Sequence, residues 1–196
     1  MGQLQQENQK QTQEIQKQAQ ENQKQAQEIQ SQQQENQQQA QEIQALRYRM
    51  DNCSRPVAFQ ALLYGPKIIA AGKTVVFDHT LLNEGNAYDN TTGVFTCALP
   101  GIYAFNVHAQ SGGPGGSYHE VVLHMKLNND VVSALEAGVA HDNYDASSMS
   151  AVLQLQAGDV VTVVTGTRSY LTNIYSNSYP ENLFNGHIVQ PDGCNP

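Results

Sequence analysis

The chain has 196 residues, a net charge of −8 and 39% hydrophobic residues, enough for one ordinary domain plus an extension. An acidic chain without a basic cluster excludes gripping phosphate backbones, because such binding depends on Lys and Arg neutralising phosphates. No apolar run approaches the ~18 residues that a membrane span needs, so no membrane insertion is expected.

Composition changes near residue 50. Of the first fifty residues 21 are Gln, whereas all seven Pro and all but one Gly come later. Residues 7 to 43 read as heptads opening on Glu: ENQKQTQ, EIQKQAQ, ENQKQAQ, EIQSQQQ, ENQQQAQ and then EIQALRY. Asn8, Ile15, Asn22, Ile29, Asn36, Ile43 and Met50 recur at position d, with Thr12, Ala19, Ala26, Gln33 and Ala40 at position a. This alternating spacing is the seam of a left-handed coiled coil. Ala and Thr bury little area, so the seam is weak. The repeated Asn layers set its register, since a slipped pairing would strand buried amides. The e and g sites are nearly all Gln and cannot choose a partner by charge, which favours self-association, and the Asn layers are best satisfied when the copies run parallel and in register. Residues 1–50 read as a stalk, whose heptad segment from residue 7 would extend roughly 65 Å if fully helical at ~1.5 Å per residue. The competing reading is a disordered Gln-rich tether. Residues 51–56 form a junction.

From residue 57 to 196 the pattern becomes all-β: short runs of β-branched and aromatic residues punctuated by Gly, Asn and Asp. The expected strands are 57–64, 73–77, 93–97, 102–110, 118–127, 130–138, 148–156, 159–166 and 184–190. LNNDVV reads as a tight hairpin turn, QAGDVV as a Gly turn and GGPGGS as a flexible loop. Such a series fits a two-sheet sandwich or jelly roll. Parity along the strand places Tyr103, Phe105 and Val107 together on its core face.

Phe77, Asn83, Tyr88, Phe95, Gly101, Tyr103 and Phe105 occur in this head at set intervals. The intervals are Phe, five residues, Asn, four residues, an aromatic, six residues, Phe, five residues, then Gly-x-Tyr-x-Phe. This arrangement resembles the aromatic signature of the C1q-domain family. Phe184 and Gly186 of FNGHIV resemble its closing strand, so the likeness covers essentially residues 55 to 196. Val107 departs from the family's Phe or Tyr while staying apolar and β-favouring. The resemblance implies a ten-stranded jelly roll, related to tumour-necrosis-factor-like cytokines, that packs as a tight homotrimer. Three tethered helices would then meet at high effective concentration, offsetting the weak stalk seam.

Three Cys is an odd number, so at least one is free or bonded between chains. Termini lie close together in the family that the head resembles, which implies a Cys53–Cys194 bridge, within or between subunits. Cys97 is expected as a buried free thiol. Asn52-Cys53-Ser54 and Asn90-Thr91-Thr92 are acceptor patterns for N-glycosylation. A glycan on Asn52 would compete with oxidation of Cys53. The six His are scattered, and no zinc-protease, phosphate-loop or nucleophile-elbow motif occurs, so no enzyme activity is expected.

The loop HDNYDASS resembles the family loop that supplies an acidic calcium ligand near the trimer axis, with Asp145 in the matching place. Ala137 replaces the family's earlier Asp. Asp142 or Glu136 is the candidate substitute, and three subunits would pool the six to eight oxygens that calcium takes.

The function expected is that of a secreted homotrimer, with higher assembly open, that binds carbohydrate or microbial and cell-surface patterns by multivalency. Tyr118, Arg168, Tyr170, Tyr175 and Tyr179 are the candidate ligand-binding residues, in loop sets 116–119, 141–145 and 168–182. The opening MGQLQQENQK has no apolar signal core, so an extracellular location rests on the resemblance. The alternatives are a receptor-binding signalling or adhesive ligand, and an extracellular carrier or matrix protein binding divalent cations.

Overall fold

The computed structural model describes residues 2–112, 119–139, 144–167, 171–176 and 181–194. It divides into two units, Met1–Met50 and Asp51–Pro196.

Helix α1 runs from Gly2 to Cys53 and buries none of its residues. Gln, Glu, Lys and Ala all favour helix, and no Pro interrupts them. The Thr12 hydroxyl donates to the Asn8 carbonyl at 2.8 Å, so this residue at position a adds no unsatisfied group. Ile15, Ile29 and Ile43 are each more than half exposed, which leaves the apolar seam uncovered by its own chain.

In chain order the head has β1 (Ala58–Leu63), β2 (Lys67–Ala70), β3 (His79–Glu84), β4 (Tyr88–Asp89), β5 (Val94–Thr96) and β6 (Gly101–Gly112). There follow β7 (His119–Leu127), β8 (Asp130–Val139), β9 (Tyr144–Leu155), β10 (Val160–Thr165), β11 (Leu171–Ile174) and β12 (Asn182–Pro191). The first sheet has the order β3-β1-β12-β6-β9, the second β4-β5-β10-β7-β8, and β11 pairs with β2. All named pairings are antiparallel, and the first and last strands lie side by side, from Ala58 opposite His187 to Leu63 opposite Asn182. The head is an all-β jelly-roll sandwich.

Alternation builds the core. Tyr103, Phe105, Val107 and Ala109 of β6 are all buried, facing Phe95, Leu123, Met125, Val161 and Val163 of the second sheet. Phe184 sits among four aromatic rings, 4.8 Å from Phe59, 5.8 Å from Phe77 and Tyr88, and 6.2 Å from Phe105 between centroids. Each well-placed aromatic pair adds roughly 0.5–1.5 kcal/mol beyond burial. Gly186 lies opposite Phe105 and Phe59 in the ladder. A Cβ there would come within 2.6 Å of Phe105 Cε1 and 2.8 Å of Phe59 Cε1, so the ring stack requires glycine.

The spaced signature has a physical basis. Asn83 Nδ2 donates to the Tyr88 carbonyl at 2.8 Å, and the Tyr88 amide donates to Asn83 Oδ1 at 3.2 Å. The Tyr88 hydroxyl donates to the Phe77 carbonyl at 3.1 Å and accepts from the Phe77 amide at 3.2 Å. Burial pushes the Tyr88 phenol well above its ordinary pKa, keeping it a neutral donor. The side chains of Asn83 on β3 and Tyr88 on β4 thereby tie the unpaired backbone at Phe77 into one corner.

The strand expectation needs correction at several places. Residues 73–77 form no strand: Thr74 makes an isolated bridge to Val164, and the Val75 amide donates to Val163 at 2.8 Å, without a continuing ladder. Val75 and Phe77 are nonetheless buried, so alternation reported the facing of the side chains and not the pairing of the backbone. Strands β2, β3, β4 and β11 were not expected. The edge strand β3 exposes both Leu81 and Leu82, which erases the period of two that marks a strand. The hairpin and Gly turns form as expected, with Asn128 at φ 55° and Gly158 at φ 91°.

Cys53 is bonded to Cys194 within the chain, with Cα atoms 5.5 Å apart. Cys97 is free and buried. Its thiol, raised chiefly by burial, donates to the Leu99 carbonyl at 3.2 Å, the same oxygen that accepts from the Tyr103 hydroxyl at 2.7 Å.

Candidate functional site

Two regions of the head could meet something outside it. The first is the end of the sandwich where β6, β9 and β12 meet the segment after β11. Asn182, fully buried, accepts from the Gln110 amide at 2.8 Å through Oδ1 and donates to the Tyr175 carbonyl at 2.9 Å through Nδ2. The Tyr175 amide donates to the Gln110 carbonyl at 2.9 Å. Tyr175 is therefore fixed at both its backbone polar groups, and its ring lies 5.1 Å from that of Tyr144 at the start of β9. A hydrogen bond with the Tyr144 hydroxyl raises the Tyr175 pKa. The pair is a rigid aromatic surface with hydroxyls at its rim, and Tyr144 remains 46% exposed. Such a surface suits the apolar face and polar edge of a sugar ring or a protein side chain.

Asp145 stands next to this pair. Its Oδ2 accepts from the Gly138 amide at 3.1 Å and its Oδ1 from the Ala146 amide at 2.9 Å, tying β9 to β8. Ala137 is buried. Among the described residues no three His, Cys, Asp or Glu side chains come together as a metal set. One carboxylate falls far short of the oxygens that calcium takes, so the described residues of a single chain do not fit the ion. Asp142, Tyr118, Arg168, Tyr170 and Tyr179 lie outside the described residues.

The second region is the outer face of the first sheet, opposite the core. Its side chains are Ala58 and Gln60 from β1, with Leu62 buried within the head, and Leu183, Asn185 and His187 from β12. β6 adds Ile102, Ala104, Asn106, His108 and Gln110, and β9 adds Ala146, Ser148, Ser150, Val152 and Gln154, with Tyr144 at the margin beside Tyr175. Across these four strands the face has no Lys, Arg, Asp or Glu, in a chain with 14% charged residues. Val152, on the edge strand β9, is 72% exposed. The outer face of the second sheet differs, presenting Glu120, Lys126 and Glu136. It also holds a cavity of about 480 Å³ lined by Val122, His124, Ala134, Leu135, Glu136 and Thr167.

Sequence reasoning placed Tyr175 at the loop end and included Tyr144 and Asn182 in its loop sets without assigning them roles. It missed the charge-free face, whose members are spread over the whole head and meet only through the strand order. Of the glycosylation candidates, Asn90 is exposed, with Nδ2 donating to the Asp78 carbonyl at 3.3 Å. Asn52 is half-buried in the last turn of α1, beside the disulfide.

A family profile described as the C1q domain matches residues 58–189. The chain belongs to the C1q-domain family. It is 33% identical over 116 residues to Complement C1q tumor necrosis factor-related protein 5 of Rattus norvegicus, covering 59% of this chain and 46% of that protein. The match thus spans about half the length of this curated relative. The globular domain of zebrafish complement 1qA protein superposes with a TM-score of 0.53 at 23% identity, over 69% of this chain and 99% of that one. Eiger TNF from S. frugiperda superposes with a TM-score of 0.50 at 17% identity, over 72% and 97%. At these identities the two structures speak to the fold alone. In this C1q domain the signature residues build the core and the Phe77–Asn83–Tyr88 corner, which leaves the tyrosine pair and the charge-free face available for contacts.

Proposed function

We propose that the chain is an extracellular, non-enzymatic recognition protein that works as a parallel homotrimer, presenting three C1q heads on a coiled-coil stalk to carbohydrate or other patterned surfaces. The observation that carries this reading is the outer face of the first sheet. Depletion of charge with retained apolar and amide groups is the composition of an interface core, which a second copy can cover without stranding an ion on this face. The in-register Asn layers of the stalk favour the same parallel arrangement. Within each head the fixed Tyr144–Tyr175 pair is the proposed ligand contact, and three copies turn a weak single site into useful avidity.

Light scattering of the full chain at micromolar concentration should give about three times the 21.5 kDa chain mass. A monomer or a clean dimer refutes the assembly. Binding to a glycan and microbial-surface array should be lost in Tyr175→Ala with the trimer intact. Retained binding removes the tyrosine pair from the reading. The receptor-ligand alternative is favoured by Val131 and Val132, exposed together at the start of β8. Capture by a cell-surface protein that survives Tyr175→Ala and fails with Val131→Glu would select it.

A further inference from the structure

Two acceptor triplets for N-linked sugar, Asn90-Thr91-Thr92 and Asn52-Cys53-Ser54, meet opposite surroundings in the fold. Asn90 opens the turn from β4 to β5, at the opposite edge of the second sheet from β8. This turn is held from within. Asp89 Oδ1 accepts from the Thr91 amide at 2.8 Å and the Thr91 hydroxyl at 2.7 Å, and these bonds, with others from Thr92, lower the Asp89 pKa. The Gly93 amide donates to the Asp89 carbonyl at 2.8 Å, and Gly93 sits at φ 76°, where a Cβ would come within 2.6 Å of the Val75 carbonyl. Residues 89–92 are all exposed, and Asn90 Nδ2 donates to the carbonyl of the exposed Asp78 at 3.3 Å. A glycosylated Nδ2 keeps one hydrogen, so that bond survives with the sugar outside. Asn52 differs at each point. It is half-buried in the last turn of α1, its carbonyl accepts from the Arg55 amide at 3.4 Å, and the next residue, Cys53, is bonded to Cys194. The Ser54 hydroxyl, which completes that triplet, donates to the Asp51 carbonyl at 3.3 Å. A sugar on Asn52 would have to share its space with the disulfide.

We propose that Asn90 carries an N-linked glycan, that Asn52 is passed over in favour of the Cys53–Cys194 bond, and that the β4–β5 edge of the head therefore lies outside subunit contacts. The inference rests on the extracellular reading, because the sugar donor, an oligosaccharide on a polyprenyl diphosphate, is met on the secretory route. Asn90 Nδ2 attacks the anomeric carbon of the donor's first sugar. The new C–N bond forms as the C–O bond to the diphosphate breaks, the polyprenyl diphosphate leaves with the electron pair, and Nδ2 gives up one proton. The product is a bulky, hydrated group on a rigid turn. Since β4 ends its sheet, the sugar stands beside an open strand edge and keeps a second chain from adding a strand there.

The test translates the full chain, behind a cleavable secretion leader, into endoplasmic-reticulum microsomes, which reads modification whether or not the chain is exported. Wild type should gain mass that peptide-N-glycosidase removes, and peptide mapping after that digestion should find Asp at position 90 and unchanged Asn at 52. Asn90→Gln and Thr92→Ala should each abolish the gain, whereas Thr92→Ser and Asn52→Gln should keep it. Wild type without sugar at Asn90, or a sugar on Asn52 in chains whose Cys53–Cys194 bond has formed, overturns the assignment. Sedimentation of the glycosylated chain from animal cells and of its Asn90→Gln variant should give the same number of chains per assembly. A lower number with the sugar in place overturns the position of this edge outside subunit contacts. A native protein confined to the cell interior overturns the extracellular reading and leaves the microsome result to stand by itself.

Discussion

Replacing Asn182 by Ala tests whether the tyrosine pair is held in place by one buried carboxamide. The change strips the Gln110 amide and the Tyr175 carbonyl of their partner at once. A buried polar group left unsatisfied costs about 1–3 kcal/mol, and because both backbone groups belong to half-buried residues that water can partly reach, the two together should cost about 2–3 kcal/mol. For a domain of this size that is a fall in melting temperature of roughly 4–12 °C. Urea denaturation followed by far-ultraviolet circular dichroism measures the loss, and near-ultraviolet dichroism reports loosening of the tyrosine rings. Asn182→Asp keeps the acceptor, loses the donor and buries a charge against the Tyr175 carbonyl, so it should be worse than Ala. An alanine variant within about 0.5 kcal/mol of wild type, or an aspartate variant as stable as wild type, would refute the argument that this amide fixes the site.

Gly186→Ala drives a methyl group into the rings of Phe105 and Phe59 and should cost about 1–3 kcal/mol in the same urea assay; no loss would mean that the ring stack yields freely. Breaking the Cys53–Cys194 bond with Cys53→Ser/Cys194→Ser should destabilise the head by about 2–5 kcal/mol, because it releases a closure spanning 141 residues. Non-reducing peptide mapping should recover that pair with Cys97 as a free thiol, and Cys97 in a native disulfide would contradict the structure. Calcium, if three subunits share a site around Asp145, should raise the melting temperature at millimolar concentration by mass action. Asp145→Asn should abolish that shift, and an unchanged melting temperature across millimolar calcium excludes the site.

The parts of the fold that could be read from the residues are those where one chemical property repeats at a fixed interval. The Asn and Ile of α1 do this every seven residues, and Tyr103, Phe105 and Val107 do it every two. Where the repeat fails, so does the reading: β3 exposes adjacent leucines at a sheet edge, and residues 73–77 alternate like a strand while making only a bridge. The candidate site was less visible for a different reason. Asn182 acts on Gln110, 72 residues away, and nothing local in TNI or PEN announces that contact. The charge-free face is a property of strand order, visible only once β1, β12, β6 and β9 are laid side by side.

The bond between Cys53 and Cys194 makes the head a covalent ring with the helix leading into it. A protease that cuts once anywhere between those two residues opens the ring without releasing a fragment. Both pieces stay joined to the polypeptide that carries α1, and in a folded head they remain paired through the ladders of β1, β12 and β6. Detachment needs two cuts, or one cut and a reductant. A head nicked once within the ring therefore keeps every residue covalently attached, and sheds a piece only after a second cut or reduction of the bond.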